Sequence, residues 1–200
     1  MFSMDTSESE ETIRKMKNFI LQSLPAFNIS EKSVRISIVT YSGDAIIHLP
    51  FREGVTESKV NEALQNIAPS NAGKRLDTAL YQAVTDWRDV PRNVILFMNG
   101  PSTVKADYVK KMVGYLRDRG VQINIIAKPA VGKDLIDALK SAGANVAVVQ
   151  PGGNVDQFLH LVQPLPSKSG NQQSFISLLG LVSMFEFTWH FNCILQPYIF

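Results

Sequence analysis

The sequence predicts an α/β fold, a Rossmann-like three-layer sandwich with a mostly parallel central sheet and one antiparallel edge strand. Apolar, strand-like runs alternate with amphipathic stretches over the first 165 residues, which is typical of a sheet covered by helices on both faces. Residues 94–98 form a continuous apolar run, as in a strand buried on both sides of a parallel sheet. A short turn at residues 42–44 joins two strand-like runs and predicts a hairpin, which supplies the antiparallel strand.

Apolar spacing and turn residues define the elements of the first half. A short apolar strand opens the chain, and helical spacing of Ile13, Met16 and Ile20 predicts a helix at 10–24 that Pro25 ends. Residues 34–41 alternate between the two faces of a strand, and residues 45–51 form the second strand of the hairpin. Two more helices carry apolar residues on one face, at 57–67 (Val60, Ala63, Leu64, Ile67) and 76–87 (Leu76, Leu80, Ala83, Val84, Trp87).

Strands and helices alternate strictly in the second half. The central strand at 93–98 precedes a helix at 105–119, which Gly120 closes in the C-cap position. A strand at 121–127 and a helix at 133–141 follow, and the helix ends near Gly143. A short strand at 145–149 leads to a last helix at 154–162, where Asn154 and Gln157 have the spacing of a capping box.

The composition describes an ordinary globular domain. Hydrophobic residues make up 45% and charged residues 19% of the 200 residues, which excludes wholesale disorder. A formal net charge of +2 provides no strong attraction to nucleic acid. The single cysteine, Cys193, excludes a disulfide scaffold and a cysteine-based zinc site, and three scattered histidines lack metal-ligand spacing.

The chain is predicted to divide into a domain at 1–165, a linker at 166–174 and an apolar tail at 175–200. The linker is rich in turn-forming residues, whereas the tail holds no Lys or Arg and a single charge, Glu186. The tail is either a membrane segment, which would have to bury Glu186, or an irregular or artefactual end. The N-terminus shows no secretory signal, and the first strand is short enough that we expect it to be truncated.

Polar residues follow two strands whose carboxyl ends are expected at one edge of the sheet, where ligands of such folds bind. Asp5, Ser7 and Ser9 alternate after the first strand, and Asn99 follows the central strand. A carboxylate and two hydroxyls are hard oxygen ligands that suit Mg²⁺ or Ca²⁺. The alternative is that Ser7 or Ser9 simply caps the following helix.

Several segments share their order and spacing with a known family. They are the run Asp5-Thr6-Ser7-Glu8-Ser9 after an apolar strand, the strand ending at Tyr41-Ser42, the central strand ending at Asn99-Gly100, and the strand that begins at Val121. Over residues 1–163 the chain resembles the von Willebrand factor type A domain, of the extracellular matrix and adhesion type. The resemblance implies a non-enzymatic module that binds a protein ligand, and an extracellular location for the parent protein.

The resemblance also implies a degenerate metal-ion-dependent adhesion site. Asp5, Ser7 and Ser9 match three of the family's five ligand positions. Lys74 stands in place of the family's Thr, and Asn99 in place of its second Asp. An ammonium cannot coordinate a cation and Asn99 lacks a negative charge, so we expect Mg²⁺ binding to be weak or absent. The same five residues are the expected contacts for the protein partner.

Two rival functions are weighed against this hypothesis. One is an intracellular scaffold of the same family within a multiprotein complex, which a chain with one cysteine and no signal permits. The other is an enzyme on a Rossmann-like sheet, which the lack of a phosphate-binding glycine loop and of a GxSxG elbow disfavours. No nucleic-acid partner is expected, and membrane contact depends on residues 175–200.

Overall fold

A six-stranded sheet in the order β3-β2-β1-β4-β5-β6 organises the computed structural model. The structure describes residues 1–85, 92–150 and 161–162. Its elements are β1 (Phe2–Asp5), α1 (Glu10–Ser23), β2 (Ile38–Tyr41), β3 (Ala45–Leu49), α2 (Glu57–Gln65), α3 (Leu76–Thr85), β4 (Arg92–Met98), α4 (Ala106–Asp118), β5 (Val121–Ala127), α5 (Lys133–Ser141) and β6 (Asn145–Val148). Short 3₁₀ turns follow α1 at Leu24–Ala26 and β5 at Pro129–Val131.

The pairing of the strands confirms the predicted fold class. β1 pairs in parallel with both β2 and β4, and β5 continues the parallel order from β4 to β6. Only β3, at one edge, runs antiparallel to its neighbour β2. Parallel strands end at the same edge, so the residues after β1 and β4 come close together there.

Two hydrophobic cores lie on opposite faces of the sheet. Successive side chains of a strand point to opposite faces. Ile95 and Phe97 of β4 therefore pack with α1 and α2, whereas Leu96 and Met98 pack with α3, α4 and α5. The ring of Phe19 on α1 meets that of Phe97 edge to face, with ring centroids 5.4 Å apart. Helices on both faces complete the predicted three-layer sandwich.

The predicted strand at 34–41 is too long, because only its last four residues join the sheet. The backbone N–H of Ile36 donates to the carbonyl of Gly54 in a loop, so this part of the chain pairs outside the ladder. A Cβ on Gly54 would lie 1.6 Å from the carbonyl oxygen of Ile36, so that close approach requires glycine. The other described boundaries agree with the prediction to within two residues, and the second hairpin strand ends at Leu49, before Pro50.

His48 lies on β3 as a half-buried strand residue. Its Nε2 lies 2.9 Å from Oγ1 of Thr40 on β2. Burial lowers the pKa of His48 below its usual value, and the charge of Lys17 adds to that effect. The contact of His48 with Thr40 therefore joins the two strands of the hairpin.

The C-terminal predictions fall largely outside the described residues. Of the predicted helix 154–162 only residues 161–162 are described, and Val162 is buried with the core that α1 and α2 cover. The linker at 166–174 and the tail at 175–200 lie outside, so the predicted division of the chain stays a prediction. Among the described helices, none is long and apolar enough to cross a lipid bilayer.

Ser3, in the middle of β1, is fully buried, and its hydroxyl has no hydrogen-bond partner among the residues that the structure describes. An unsatisfied buried hydroxyl costs free energy, so we expect Ser3→Ala to leave the free energy of unfolding unchanged or to raise it by about 1 kcal/mol. Urea denaturation measures the difference. Ser23 is the matched control, because its buried hydroxyl donates to the carbonyl of Ile20 at 2.6 Å and Ser23→Ala should lower stability. A loss with Ser3→Ala as large as that with Ser23→Ala would contradict the expectation.

Candidate functional site

Three loops meet at the carboxyl edge of β1 and β4, and backbone hydrogen bonds hold them together. The first follows β1, the second precedes α3, and the third follows β4. The N–H of Ser70 donates to the carbonyl of Thr6 at 2.7 Å, which ties the first loop to the second. The N–H of Thr103 donates to the carbonyl of Lys74 at 3.0 Å, which ties the second to the third. The loops after β1 and β4 therefore lie at one edge of the sheet, as predicted, and the loop before α3 joins them there.

Close backbone contacts aim Lys74 into the junction of the loops. Its carbonyl also accepts from the Ser102 hydroxyl at 3.1 Å, which holds the residue from the side of β4. A Cβ on Gly43 would lie 2.2 Å from the carbonyl oxygen of Ala72, so the loop before α3 rests directly on the hairpin turn. A Cβ on Gly100 would lie 2.6 Å from Nζ of Lys74. The lysine side chain therefore passes over a glycine that leaves room for it.

The ammonium of Lys74 lies between two carboxylates of the first loop. Its Nζ is 2.5 Å from Oε1 of Glu8 and 3.7 Å from Oδ2 of Asp5. The Asp5 side chain is 1% exposed and that of Lys74 is 23% exposed, so water screens this contact only weakly. A second ammonium, on Lys128 after β5, lies 3.7 Å from Oε2 of Glu8. Two anions and two cations thus form one network at the edge of the sheet.

The remaining oxygen of Asp5 is engaged by Ser7. Both the N–H and the hydroxyl of Ser7 donate to Oδ1 of Asp5, at 3.0 Å and 2.6 Å. The hydroxyl of Ser9 accepts from the N–H of Thr12 at 3.3 Å and is the N-cap of α1. The sequence left open whether Ser7 or Ser9 caps the helix or binds a cation. In the structure Ser9 caps α1, and Ser7 donates two hydrogen bonds to Asp5.

Asn99 stands at the predicted place after β4, but its side chain turns to α1. Its amide nitrogen donates to Sδ of Met16 at 3.6 Å, a weak hydrogen bond to sulfur. The structure thus brings Asp5, Ser7 and Lys74 into contact and places Ser9 and Asn99 around them. The role of these five residues as metal ligands or partner contacts stays a prediction.

Sequence reasoning missed Glu8 and Lys128. Glu8 occupies a variable position of the Asp-x-Ser-x-Ser motif, so the motif assigned it no role. The signal that could have found it is charge, because Glu8 is a second carboxylate in the loop of Asp5 and could pair with a lysine brought to that loop. Lys128 directly follows β5 and so lies at the same edge, and its ammonium also reaches Oγ1 of Thr12 at 3.4 Å.

The buried neighbour of this network is Tyr41 at the end of β2. Its hydroxyl donates to the carbonyl of Phe97 at 2.7 Å. Burial raises the pKa of Tyr41 well above its ordinary value, and the negative charges of Asp5 and Glu8 add to the shift. Tyr41 therefore stays neutral, and its hydrogen bond to Phe97 links β2 to β4 next to the site.

In the part of the chain that the structure describes, no cluster of three or more His, Cys, Asp or Glu side chains could hold a metal ion. At the carboxyl edge, the structure places two ammonium groups, those of Lys74 and Lys128, against the carboxylate of Glu8.

The whole of this architecture matches one family. The family model of the von Willebrand factor type A domain matches residues 1–177, and the chain belongs to that family. It is 28% identical over 133 residues to the human (Homo sapiens) collagen alpha-6(VI) chain, and the alignment covers 62% of this chain and 6% of that one. It is 22% identical over 136 residues to matrilin-3 of Gallus gallus, and the alignment covers 62% of this chain and 29% of that protein. The chain therefore spans only a small part of either relative.

Solved structures share the fold. Proximal thread matrix protein 1 from the mussel byssus, with a zinc-occupied MIDAS motif, superposes with a TM-score of 0.67 at 21% identity, over 80% of this chain and 43% of that one. The protein BatB of Bacteroides thetaiotaomicron superposes with a TM-score of 0.64 at 14% identity, over 80% of this chain and 93% of its own. At these identities the likeness concerns the fold.

The contact between Lys74 and Asp5 should contribute measurably to stability. Lys74→Met leaves the Asp5 carboxylate buried beside Glu8 without its main counter-charge, so we expect the free energy of unfolding to fall by about 2 kcal/mol. Adding Asp5→Asn should recover part of the loss, because the buried charge is then gone. Urea denaturation of the two single variants and the double variant measures the coupling.

The control for this cycle is Lys15→Met. Lys15 pairs with Glu11 at 2.9 Å on the exposed face of α1, with both side chains more than 60% exposed, so its loss should cost under about 0.5 kcal/mol. Equal losses for Lys74→Met and Lys15→Met would contradict the importance of the Lys74 contact.

Proposed function

We propose that this chain is a non-enzymatic, protein-binding module of the matrix and adhesion type that binds its partner without a divalent cation. The observation that carries the proposal is the ammonium of Lys74 between Asp5 and Glu8. The partner surface is the edge formed by Asp5, Ser7, Ser9, Lys74 and Asn99, now extended by Glu8 and Lys128. The names of the relatives, a collagen chain and a thread matrix protein, support a matrix setting.

The side chains at this edge do not fit a divalent cation. Mg²⁺ requires about six oxygen ligands at about 2.0–2.1 Å in octahedral order. Asp5 already accepts two hydrogen bonds on one oxygen and faces an ammonium with the other, at 3.7 Å. The Ser9 hydroxyl accepts from the backbone of α1, and the Asn99 amide nitrogen donates to Met16. The positive charge of Lys74 would also repel an incoming cation.

The charges at the edge favour an acidic side chain of the partner. Glu8 is bound by Lys74 and Lys128, so a carboxylate is the group that these two ammonium groups already hold. A partner's Asp or Glu can displace Glu8, whose side chain is 20% exposed, and bind the same pair of lysines. Under this proposal the two lysines hold the partner's carboxylate without a metal ion.

The metal-independent binding that we propose does not depend on where the parent protein works. An extracellular setting is supported by the relatives' names, and the rival is an intracellular scaffold of the same family. Asn28, in the exposed segment between α1 and β2, begins an Asn-x-Ser sequon. Glycosylation of Asn28 in the native protein would decide for the extracellular setting.

Calorimetric titration with Mg²⁺ tests the metal independence. We expect no saturable binding below the millimolar range, since one lost anion and one added cation cost more than about tenfold in affinity. Lys74→Thr with Asn99→Asp should restore binding, because the pair of substitutions removes the ammonium and adds a carboxylate to the proposed ligands Asp5, Ser7 and Ser9. Lys128→Thr with Asn99→Asp is the matched control and should not restore it. Tight binding by the unaltered chain, or failure of the first double variant, would count against the assignment of these positions.

A solid-phase assay on cell-free extracellular matrix tests the binding function. We expect the chain to bind equally in Mg²⁺ and in EDTA, and Lys74→Gln to weaken binding by about tenfold, as expected for the loss of a charged hot-spot contact. Lys15→Gln, on the exposed face of α1, is the control and should bind like the unaltered chain. Loss of binding in EDTA would overturn the metal independence. Absence of binding to the matrix in both conditions would overturn the matrix setting.

A further inference from the structure

Helices α3 and α4 leave a groove between them on the outside of the domain. It encloses about 350 Å³ and is lined by Leu80, Tyr81, Val84, Lys111, Met112, Tyr115 and Leu116. The groove lies along the two helices, whereas the candidate site lies at the carboxyl edge of the strands. It is therefore a second surface, with a chemistry of its own.

Two exposed tyrosines line this groove. Tyr81 on α3 is 59% exposed and Tyr115 on α4 is 50% exposed, and Tyr108, 52% exposed, lies one helical turn before Lys111 and Met112 on α4. Tyr41, by contrast, is buried and donates its hydroxyl to a backbone carbonyl. Half-exposed tyrosines present a rigid ring and a polar tip, and they are enriched in the contact regions of protein interfaces.

The floor of the groove is apolar. Leu80 and Leu116 are at most 1% exposed and belong to the core, and the partly buried Val84 and Met112 pack against the same core. A floor of this kind gains free energy when apolar side chains cover it, at about 25 cal/mol per Å² of buried area. It provides no hydrogen-bond partners for the hydroxyl groups of a sugar.

Two positive charges of the described residues lie at the groove. Lys111 lines it and is about one helical turn from Tyr108 and Tyr115 on α4. The guanidinium of Arg119, directly after α4, lies 3.4 Å from the centroid of the Tyr115 ring, a cation–π contact. Among the residues that the structure describes, the lining includes a lysine and no carboxylate.

We propose that this groove docks an acidic segment of a partner protein. Apolar side chains of that segment cover the floor between α3 and α4, and its Asp or Glu side chains pair with Lys111 and Arg119. The apolar floor favours a polypeptide over a sulfated polysaccharide, and the positive rim favours an acidic one. Binding here is independent of the carboxyl edge, so the chain has two separate contact surfaces.

Selection from a phage-displayed library of random 16-residue peptides tests this proposal with the whole chain as bait. Peptides that are eluted should be richer in Asp and Glu than the starting library and should carry two apolar anchors three or four residues apart. Fluorescence anisotropy of the most enriched peptide should show at least about tenfold weaker binding for Tyr81→Ser with Tyr115→Ser, and for Lys111→Glu. Salt should weaken the interaction.

Two controls separate this surface from others. Lys140→Glu, an equal charge reversal in the last turn of α5, should change the peptide's affinity by less than about twofold, as for an isolated remote charge. Lys74→Gln should likewise leave it unchanged, so failure at the groove and failure at the carboxyl edge are distinguishable. All these side chains except that of Lys74 are on exposed helix surfaces, and circular dichroism confirms that each variant stays folded.

The outcomes that overturn the proposal are definite. One is enrichment of peptides that are no more acidic than the library. Another is equal binding of the enriched peptide to the chain and to the double tyrosine variant. A third is tight binding of heparin that Lys111→Glu abolishes while no acidic peptide is enriched, which would make the groove a polysaccharide site.

Discussion

The buried carboxylate of Asp5 is the constraint on which the edge of this sheet depends. β1 is central in the sheet and covered on both faces, so Asp5 at its end is 1% exposed. A charge in such a place needs a counter-charge and hydrogen-bond donors within the protein. Ser7 provides the donors and Lys74 the charge. Gly100 leaves the space that the lysine side chain crosses, and the hydrogen bonds to the carbonyl of Lys74 fix the residue that makes the contact.

Lys74 determines the electrostatics of the whole carboxyl edge. Lys74 over Asp5 alone would neutralise the site, but Glu8 and Lys128 extend it to two ions of each sign. The ammonium of Lys74 is part of the chain and cannot dissociate as a bound metal ion can. Under the proposed function the edge therefore keeps its shape and charge at any concentration of divalent cations. Its affinity for a partner then depends on the exchange of one carboxylate for another, which involves little change in net charge.

The two proposed surfaces differ in physical character. At the carboxyl edge the contacts are hydrogen bonds and ion pairs in a partly buried setting, which favours specificity for one acidic group. Along α3 and α4 the contacts are apolar and aromatic, with lysine and arginine at the rim, which favours a longer segment. A single domain can therefore bind two segments, and linking both to one partner raises the overall affinity through effective concentration.

The sequence by itself determined the order of the elements, the antiparallel hairpin, the two apolar faces and the family, because these follow from local periodicity and from a motif of neighbouring residues. It also predicted that Lys74 and Asn99 depart from the family's ligands. Only the tertiary structure decided that Glu8 joins Lys74 and Lys128, that Asn99 turns to Met16, and that Ile36 pairs outside the ladder. These contacts join residues far apart in the chain, and their partners depend on which loops the folded sheet brings to one edge. The groove between α3 and α4 has the same origin, since helical spacing shows which side chains share a face but not the distance between two helices.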